Sequence, residues 1–324
     1  MRKPFLIVLV PLIALLMTAG FRTEGTASSW KRTFEIRTTI TVRDIPDEAG
    51  LLNLWIPYPI ESSQQVIEEF RIDSPFPHTL NREGKFGNRM IFLSIPDPPS
   101  SFGISMSYTV RRHESSGESS SPETQERIGW SLESSRLIPL SPFAAEIART
   151  HADPKSSLSE QARSLYDHTL SHMNYDKTGE GWGNGDFQYA CDYGKGNCTD
   201  YHSYFIGLCR NIGIPAYFEI GYSVPSNLTE GTIPGYHCWA YFWDGKAWIP
   251  VDISEADKNR EKTDYYFGHH DPNRVALSRG RDITLSPPQN EGSLNYFVFP
   301  YSEVDGRKHG AIDWTITFKE ATDL

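Results

Sequence analysis

Three short pieces of the chain carry a cysteine, a histidine and an aspartate in settings that suit one another. They are Gly194-Lys195-Gly196-Asn197-Cys198-Thr199-Asp200, Gly235-Tyr236-His237-Cys238-Trp239 and Ile249-Pro250-Val251-Asp252. Together these residue types supply a thiol nucleophile, its base and a carboxylate to orient the base. The chemistry they could perform is attack of a thiolate on a carboxamide or peptide carbonyl, leaving a thioester that water or an amine resolves. An ordinary thiol is mostly protonated near neutral pH, so the scheme works only if the fold depresses the thiol's pKa.

The elements that must position these groups can be read from spacing. After Cys198, apolar residues Tyr201, Phe205, Leu208/Cys209 and Ile212 recur at helical intervals, and Gly213 followed by Pro215 ends the run. Cys198 therefore stands at a helix N-terminus, where free amides and the helix dipole favour a thiolate and can also hold an oxyanion. Gly194 and Gly196 let the backbone approach closely there. Trp243-Asp244-Gly245-Lys246 reads as a hairpin, since Asp-Gly favours the positive φ of a two-residue turn. That turn sets Trp243 opposite Lys246, and the same register sets His237 opposite Asp252, with Cβ atoms roughly 4.5–5.5 Å apart. Cys238 then points to the other face with Ala240, Phe242, Ile249 and Val251. Taken singly, the three residues are a buried cysteine, a surface histidine and a strand-ending aspartate; the shared register is what favours a triad.

Four blocks in order carry a resemblance: Gly-Asn-Cys-Thr-Asp-Tyr from Gly196, Gly-Ile-Pro-Ala from Gly213, His-Cys-Trp-Ala-Tyr-Phe from His237 and Trp-Ile-Pro-Val-Asp from Trp248. Over roughly residues 155–285 the chain resembles the transglutaminase-like superfamily, papain-like thiol enzymes of exported bacterial type. The resemblance implies Cys198 as nucleophile, His237 as general base and acid, and Asp252 as orienter. It implies an α+β fold, with a cysteine-bearing helix packed on an antiparallel sheet that carries the histidine and aspartate. It is less specific for reaction, because the superfamily holds crosslinking acyltransferases, peptidases, amidases and members without a working site. Hydrolysis, as a cysteine peptidase or amidase, is the favoured expectation; transamidation and a non-catalytic binding scaffold are the alternatives.

An oxyanion hole needs a second donor beside the Cys198 amide. The glycine-rich approach over residues 174–197 offers Trp182, Gln188 and Tyr189, and the sequence does not choose among them. A phosphate-binding loop is disfavoured there, since no Gly-Lys-Ser/Thr follows and no βαβ unit surrounds it. Zinc is disfavoured too: no Cys-x-x-Cys occurs, and His237 and Cys238 should face opposite ways. His269-His270 lies on an Asp/Asn/Pro-rich turn and reads as a solvated pair. No metal or organic cofactor is expected.

At 324 residues with 38% hydrophobic and 13% aromatic side chains, the chain is globular and long enough for two domains. A formal charge of −10 and the lack of a basic run argue against nucleic acid as a partner. Met1-Arg2-Lys3 followed by the apolar stretch Phe5 to Ala19 reads as a secretory signal, with an uncleaved anchor as the alternative. The expectation is a periplasmic or extracellular protein, not stably inserted in the membrane after cleavage, acting on protein, peptide or cell-wall peptide. With Cys198 as nucleophile, three cysteines remain, of which Cys209 and Cys238 read as small core residues. The expected organisation is a signal peptide over 1–27, an N-terminal β-sandwich over 28–115, a polar linker over 116–130, the catalytic domain over 131–290 and closing strands over 291–324. Parity supports the sandwich: Phe34, Ile36, Ile40 and Val42 share one face, as do Ile104, Met106, Tyr108 and Val110.

Overall fold

A computed structural model describes residues 31–119, 121 and 124–321. The expected signal segment lies outside the described residues. Within them, no helix is long and apolar enough to cross a membrane.

The strand Lys31–Val42 alternates strictly between exposed and buried positions, putting Phe34, Ile36, Thr38, Ile40 and Val42 inward. Phe102–His113 does the same with Ile104, Met106, Tyr108 and Val110. These two strands pair antiparallel, Ile36 opposite Tyr108 and Ile40 opposite Ile104, so one face of the pair is apolar and must be covered. The cover is a second antiparallel sheet built on Leu51–Tyr58 and Arg89–Pro96, whose Leu52, Leu54, Ile56, Ile91, Leu93 and Ile95 join the same core. The chain's last strands complete both sheets. Ile312–Glu320 pairs with Lys31–Val42, and Tyr301–Val304 pairs with Leu51–Tyr58. The sandwich is thus made from both ends of the described chain, with the remaining segment inserted between them.

That inserted segment has its own antiparallel sheet, ordered Arg274–Arg279, Ala216–Ser223, Tyr236–Trp243, Ala247–Val251 and Glu118–Ser119. The helix Cys198–Asn211 packs on it, and thirteen of its fourteen residues are buried, so it is the core element of this part. The helix Leu158–His172 lies against it; it opens on a capping box at Ser157 and Glu160 and buries Ala162, Leu165, Tyr166 and Leu170. Helix and sheet together give an α+β architecture.

Residues in the expected linker are partly structured. Glu118–Ser119 adds an edge strand to the inserted sheet, and Thr124–Ser131 is a helix that buries Trp130. A Ser/Gly/Glu-rich composition reads as solvated, but Glu118 is held by Arg127 at 2.7 Å and Arg279 at 3.7 Å, all three side chains being largely buried. Partners distant in sequence tie it down.

The sandwich grips the edge strand Arg274–Arg279 through side-chain amides. Gln65 accepts from the Ala276 amide at 2.8 Å and donates to the Ala276 carbonyl at 2.9 Å. Asn88 likewise accepts from the Arg279 amide at 2.7 Å and donates to its carbonyl at 2.8 Å. Two carboxamides so mimic a neighbouring strand. On the other side, Ala216–Ser223 can approach only because residue 221 is glycine: a Cβ there would lie 1.9 Å from the Val275 carbonyl oxygen. Gly221 is also the register partner of His237. Gly221→Ala should therefore destabilise the protein by about 1–3 kcal/mol through forced backbone separation, read by chemical denaturation. A variant as stable as the parent would contradict this close approach.

Candidate active site

The helix that carries Cys198 starts where the sequence places it. Asn197 caps it, accepting from the Thr199 amide at 2.8 Å, and Asp200 reaches back to the Asn197 amide at 2.9 Å. Asp200 does more than cap: it also accepts from the Gly183 and Gly185 amides at 2.6 and 2.9 Å. One buried carboxylate thereby ties the glycine-rich loop to the first turn of the helix. Burial pushes the Asp200 carboxyl upward, with the three amides opposing. Gly196 is required by this arrangement, since a Cβ there would stand 2.2 Å from Asp200 Oδ2.

His237 and Asp252 meet, though not by the foreseen register. Trp243 pairs with Trp248 and Ala240 with Val251, two residues out of step with a turn on Asp244–Gly245 alone. The cause is the Asp244 side chain, which accepts from the amides of Lys246 and Ala247, both at 2.7 Å, and so enlarges the turn to four residues. A shift of two preserves the face. Asp252 then leaves the strand to cap the helix Ile253–Lys258, and its Oδ2 lies 2.7 Å from His237 Nε2. With Nε2 donating to the carboxylate, Nδ1 is the ring nitrogen left for the thiol. Cys238 points at the helix that carries Cys198, its Sγ 3.8 Å from Thr199 Oγ1 and 3.8 Å from His202 Nδ1.

Two positioning residues escaped the sequence. Arg274, itself buried, donates to Asp252 Oδ2 from Nε at 3.1 Å and Nη2 at 2.6 Å, while its Nη1 pairs with Asp271 at 2.7 Å. The available signal was an arginine at the head of an otherwise apolar strand, Arg274-Val275-Ala276-Leu277. His202, one turn beyond Cys198, is fully buried. Its Nε2 lies 3.1 Å from the Ile253 amide, which can only donate, so Nδ1 carries the proton and donates to the Cys198 carbonyl at 2.7 Å. Burial keeps this ring neutral, the nearby Asp252 opposing. His202 thus links the turn that carries Cys198 to the residue after Asp252. The spacing of four from Cys198 was the clue. Tyr236 adds a third link: its hydroxyl accepts from Asn197 Nδ2 at 3.0 Å and lies 3.1 Å from Thr199 Oγ1.

The charges follow. Hydrogen bonding from the Cys238 thiol lowers the Cys198 pKa most; burial opposes it, and the His237 imidazolium lowers it further, leaving the thiol well below its ordinary value. Burial would depress His237, but Asp252 and then Cys198 raise it to about 10. Burial would likewise raise Asp252, yet His237 and Arg274 hold it well below the usual carboxylate range. Cys238 is pushed up by burial and by the adjacent Cys198. These directions favour a thiolate, an imidazolium and a carboxylate over their neutral forms.

The three oxyanion candidates sit differently. Gln188 is exposed on the helix Phe187–Tyr193 and donates to Asp192 at 2.8 Å. Tyr189 packs its ring where a Cβ on Gly181 would fall and against Tyr193. Trp182 lies half-buried in the loop between Gly181 and Gly183, the loop that Asp200 holds beside Cys198. No group of three or more His, Cys, Asp or Glu among the described residues could hold a metal ion. The four cysteines are free, and Cys209 and Cys238 are fully buried. His269-His270 departs from expectation: His270 is not solvated but has no exposed surface, its ring packed against Trp239 and Tyr241.

Residues 142–253 match the family model described as the transglutaminase-like superfamily. An uncharacterised protein of Haemophilus influenzae is 23% identical over 308 residues, covering 82% of this chain and 84% of that protein. The crystal structure of a "putative cysteine protease" from Cytophaga hutchinsonii shares the fold at a TM-score of 0.59 and 16% identity, covering 91% of this chain and 94% of that one. The periplasmic domain of TgpA from Pseudomonas aeruginosa aligns at a TM-score of 0.36 and 15% identity, over 72% and 90%.

The pKa order sets a pH window. The ion pair exists above the lowered Cys198 pKa and below the His237 pKa of about 10. Iodoacetamide should therefore alkylate Cys198 first and rapidly at about pH 6, where an ordinary thiol with pKa of about 8.5 is protonated. Asp252→Asn should lower the His237 pKa, raise that of Cys198 and slow this labelling by roughly tenfold per pKa unit. Equal, slow labelling of the cysteines in both proteins, followed by peptide mass mapping, would refute the ion pair.

Proposed function

We propose that this transglutaminase-like chain is an exported cysteine hydrolase, a peptidase or amidase acting on protein, peptide or cell-wall peptide. The observation that carries the reading is the buried Asp252–His237 hydrogen bond beside a thiol at a helix N-terminus. Export rests on the sequence of residues 1–27.

In this reading the Cys198 thiolate adds to the scissile carbonyl carbon, and the carbonyl π electrons pass to oxygen. The Cys198 backbone N–H receives that oxyanion, with the Trp182 indole N–H as the second donor, since Trp182 sits on the loop anchored to the nucleophile's own turn. His237 gives its Nδ1 proton to the departing nitrogen as the C–N bond breaks. It then takes a proton from water, whose oxygen attacks the thioester and returns Cys198 as the leaving thiolate. Asp252 keeps the ring's Nε2 protonated throughout, and Arg274 keeps Asp252 ionised. An amine in place of water gives transamidation by the same steps.

The experiment compares the parent with Cys198→Ala on peptides, cell-wall fragments and glutamine donors offered with a primary amine. Hydrolysis predicts release of amine or ammonia without incorporation of the acceptor, and a loss on the order of 10³-fold or more in kcat/KM for Cys198→Ala. Incorporation of the acceptor would establish transamidation, and unchanged turnover in Cys198→Ala would end the thiol reading. Arg274→Met should lower kcat with little change in KM and move the alkaline limb of the pH profile to higher pH, because His237 loses a neighbouring like charge that shares its Asp252 counter-charge. A purely structural arginine would leave that limb in place.

A further inference from the structure

One buried nucleophile takes no part in the acyl chemistry. Cys238 has no exposed surface and follows His237 on the strand Tyr236–Trp243. Its Sγ lies 3.8 Å from Thr199 Oγ1 and 3.8 Å from His202 Nδ1, so it is hemmed in by the first turn of the nucleophile helix. Both neighbours adjoin Cys198: Thr199 is the next residue, and His202 Nδ1 also donates to the Cys198 carbonyl at 2.7 Å. Within that enclosure the Cys238 thiol hydrogen-bonds to the Cys198 sulfur. The other thiols are placed elsewhere. Cys209 lies about three turns further along the same helix, and Cys191 is on the helix Phe187–Tyr193, beside Tyr204.

Alanine would fill this core position, but a thiol there has a consequence that alanine lacks. The thiolate is the form of cysteine that peroxides attack, and without a partner it is driven past the sulfenic acid to acids that thiols do not reduce. A second thiol in contact stops that ladder at a disulfide. Cys238 is held in reserve for this. Burial and the neighbouring Cys198 push its pKa up, so it stays a thiol while Cys198 is a thiolate. Conversion of Cys198 to a neutral sulfenic acid removes the neighbouring charge.

We propose that Cys198 and Cys238 form a reversible disulfide when hydrogen peroxide reaches the active site, with Cys238 as the resolving thiol. The Cys198 thiolate attacks one peroxide oxygen and the O–O bond breaks, giving Cys198–SOH and hydroxide. The sulfur is oxidised by two electrons and the peroxide is reduced. The Cys238 sulfur then attacks the sulfenic sulfur, the S–O bond breaks, and the hydroxyl leaves with the Cys238 proton as water. A dithiol reductant returns both thiols. The inference rests on Cys198 being a thiolate, as the proposed function does, and on no particular substrate.

The test treats the full chain with hydrogen peroxide, blocks remaining thiols with iodoacetamide in denaturant, and maps the digest by mass. The expected result is a linked pair of peptides carrying Cys198 and Cys238, two hydrogens lighter than the two thiol peptides. Dithiothreitol should then restore iodoacetamide labelling of native Cys198 at about pH 6. In Cys238→Ala, Cys198 should instead gain two or three oxygens that dithiothreitol does not remove. An oxidised Cys198 beside an unmodified Cys238 in the parent, or a bridge from Cys198 to Cys191 or to a second molecule, would overturn the proposal. So would a Cys198 that peroxide leaves untouched. Rapid labelling of untreated Cys198 at about pH 6 together with no bridge sinks the resolving role alone, whereas slow labelling sinks the thiolate with it. Should Cys238→Ala fail to fold, the linked peptides of the parent decide.

Discussion

The structure turns on one carboxylate with no exposed surface. Removing Asp252 from water costs several kcal/mol unless its lone pairs are met by charged or well-aimed donors. They are met on every side: His237 and Arg274 on Oδ2, and the Ser254 hydroxyl and Glu255 amide on Oδ1. The low local dielectric makes each of these bonds stronger and the loss of any one more expensive. An ionised Asp252 in turn keeps the His237 ring charged, and a charged ring keeps the Cys198 sulfur as thiolate. The electrostatics thus favour the charged form of all three groups.

That requirement explains the architecture around it. Arg274 is useful only if its strand is fixed, and that strand is gripped by Gln65 and Asn88 of the sandwich on one side and admitted close by Gly221 on the other. The sandwich, built from both ends of the described chain, so helps to hold Arg274 against Asp252. On the nucleophile's side, Asp200, His202 and Tyr236 link the first turn of the helix to the glycine-rich loop, to the residue after Asp252 and to the histidine strand.

The sequence made the local features plain. Alternation along Lys31–Val42 and the helical run after Cys198 are short-range patterns, and each has its counterpart in the structure. The pairing of His237 with Asp252 was legible for a subtler reason. The turn was misjudged by two residues because the Asp244 side chain recruits two further amides, yet an even error leaves both side chains on one face. Long-range partners were not legible. Nothing near Arg274 announces a carboxylate 22 residues earlier. Nor does anything near Glu118 announce the two arginines that pin a segment of linker composition. His270 looked solvated because its neighbours are turn formers, while its burial comes from Trp239 and Tyr241, rings some thirty residues away.

The most direct test of the central claim is the ultraviolet thiolate absorbance of the parent, with that of Cys198→Ala subtracted, followed from acid to alkaline pH. A coupled thiolate and imidazolium predict one thiolate equivalent that persists down to about pH 6, well below the ordinary cysteine pKa of about 8.5. The same absorbance emerging only as pH rises through about 8.5 would mean a neutral thiol beside a neutral ring, and would contradict the account.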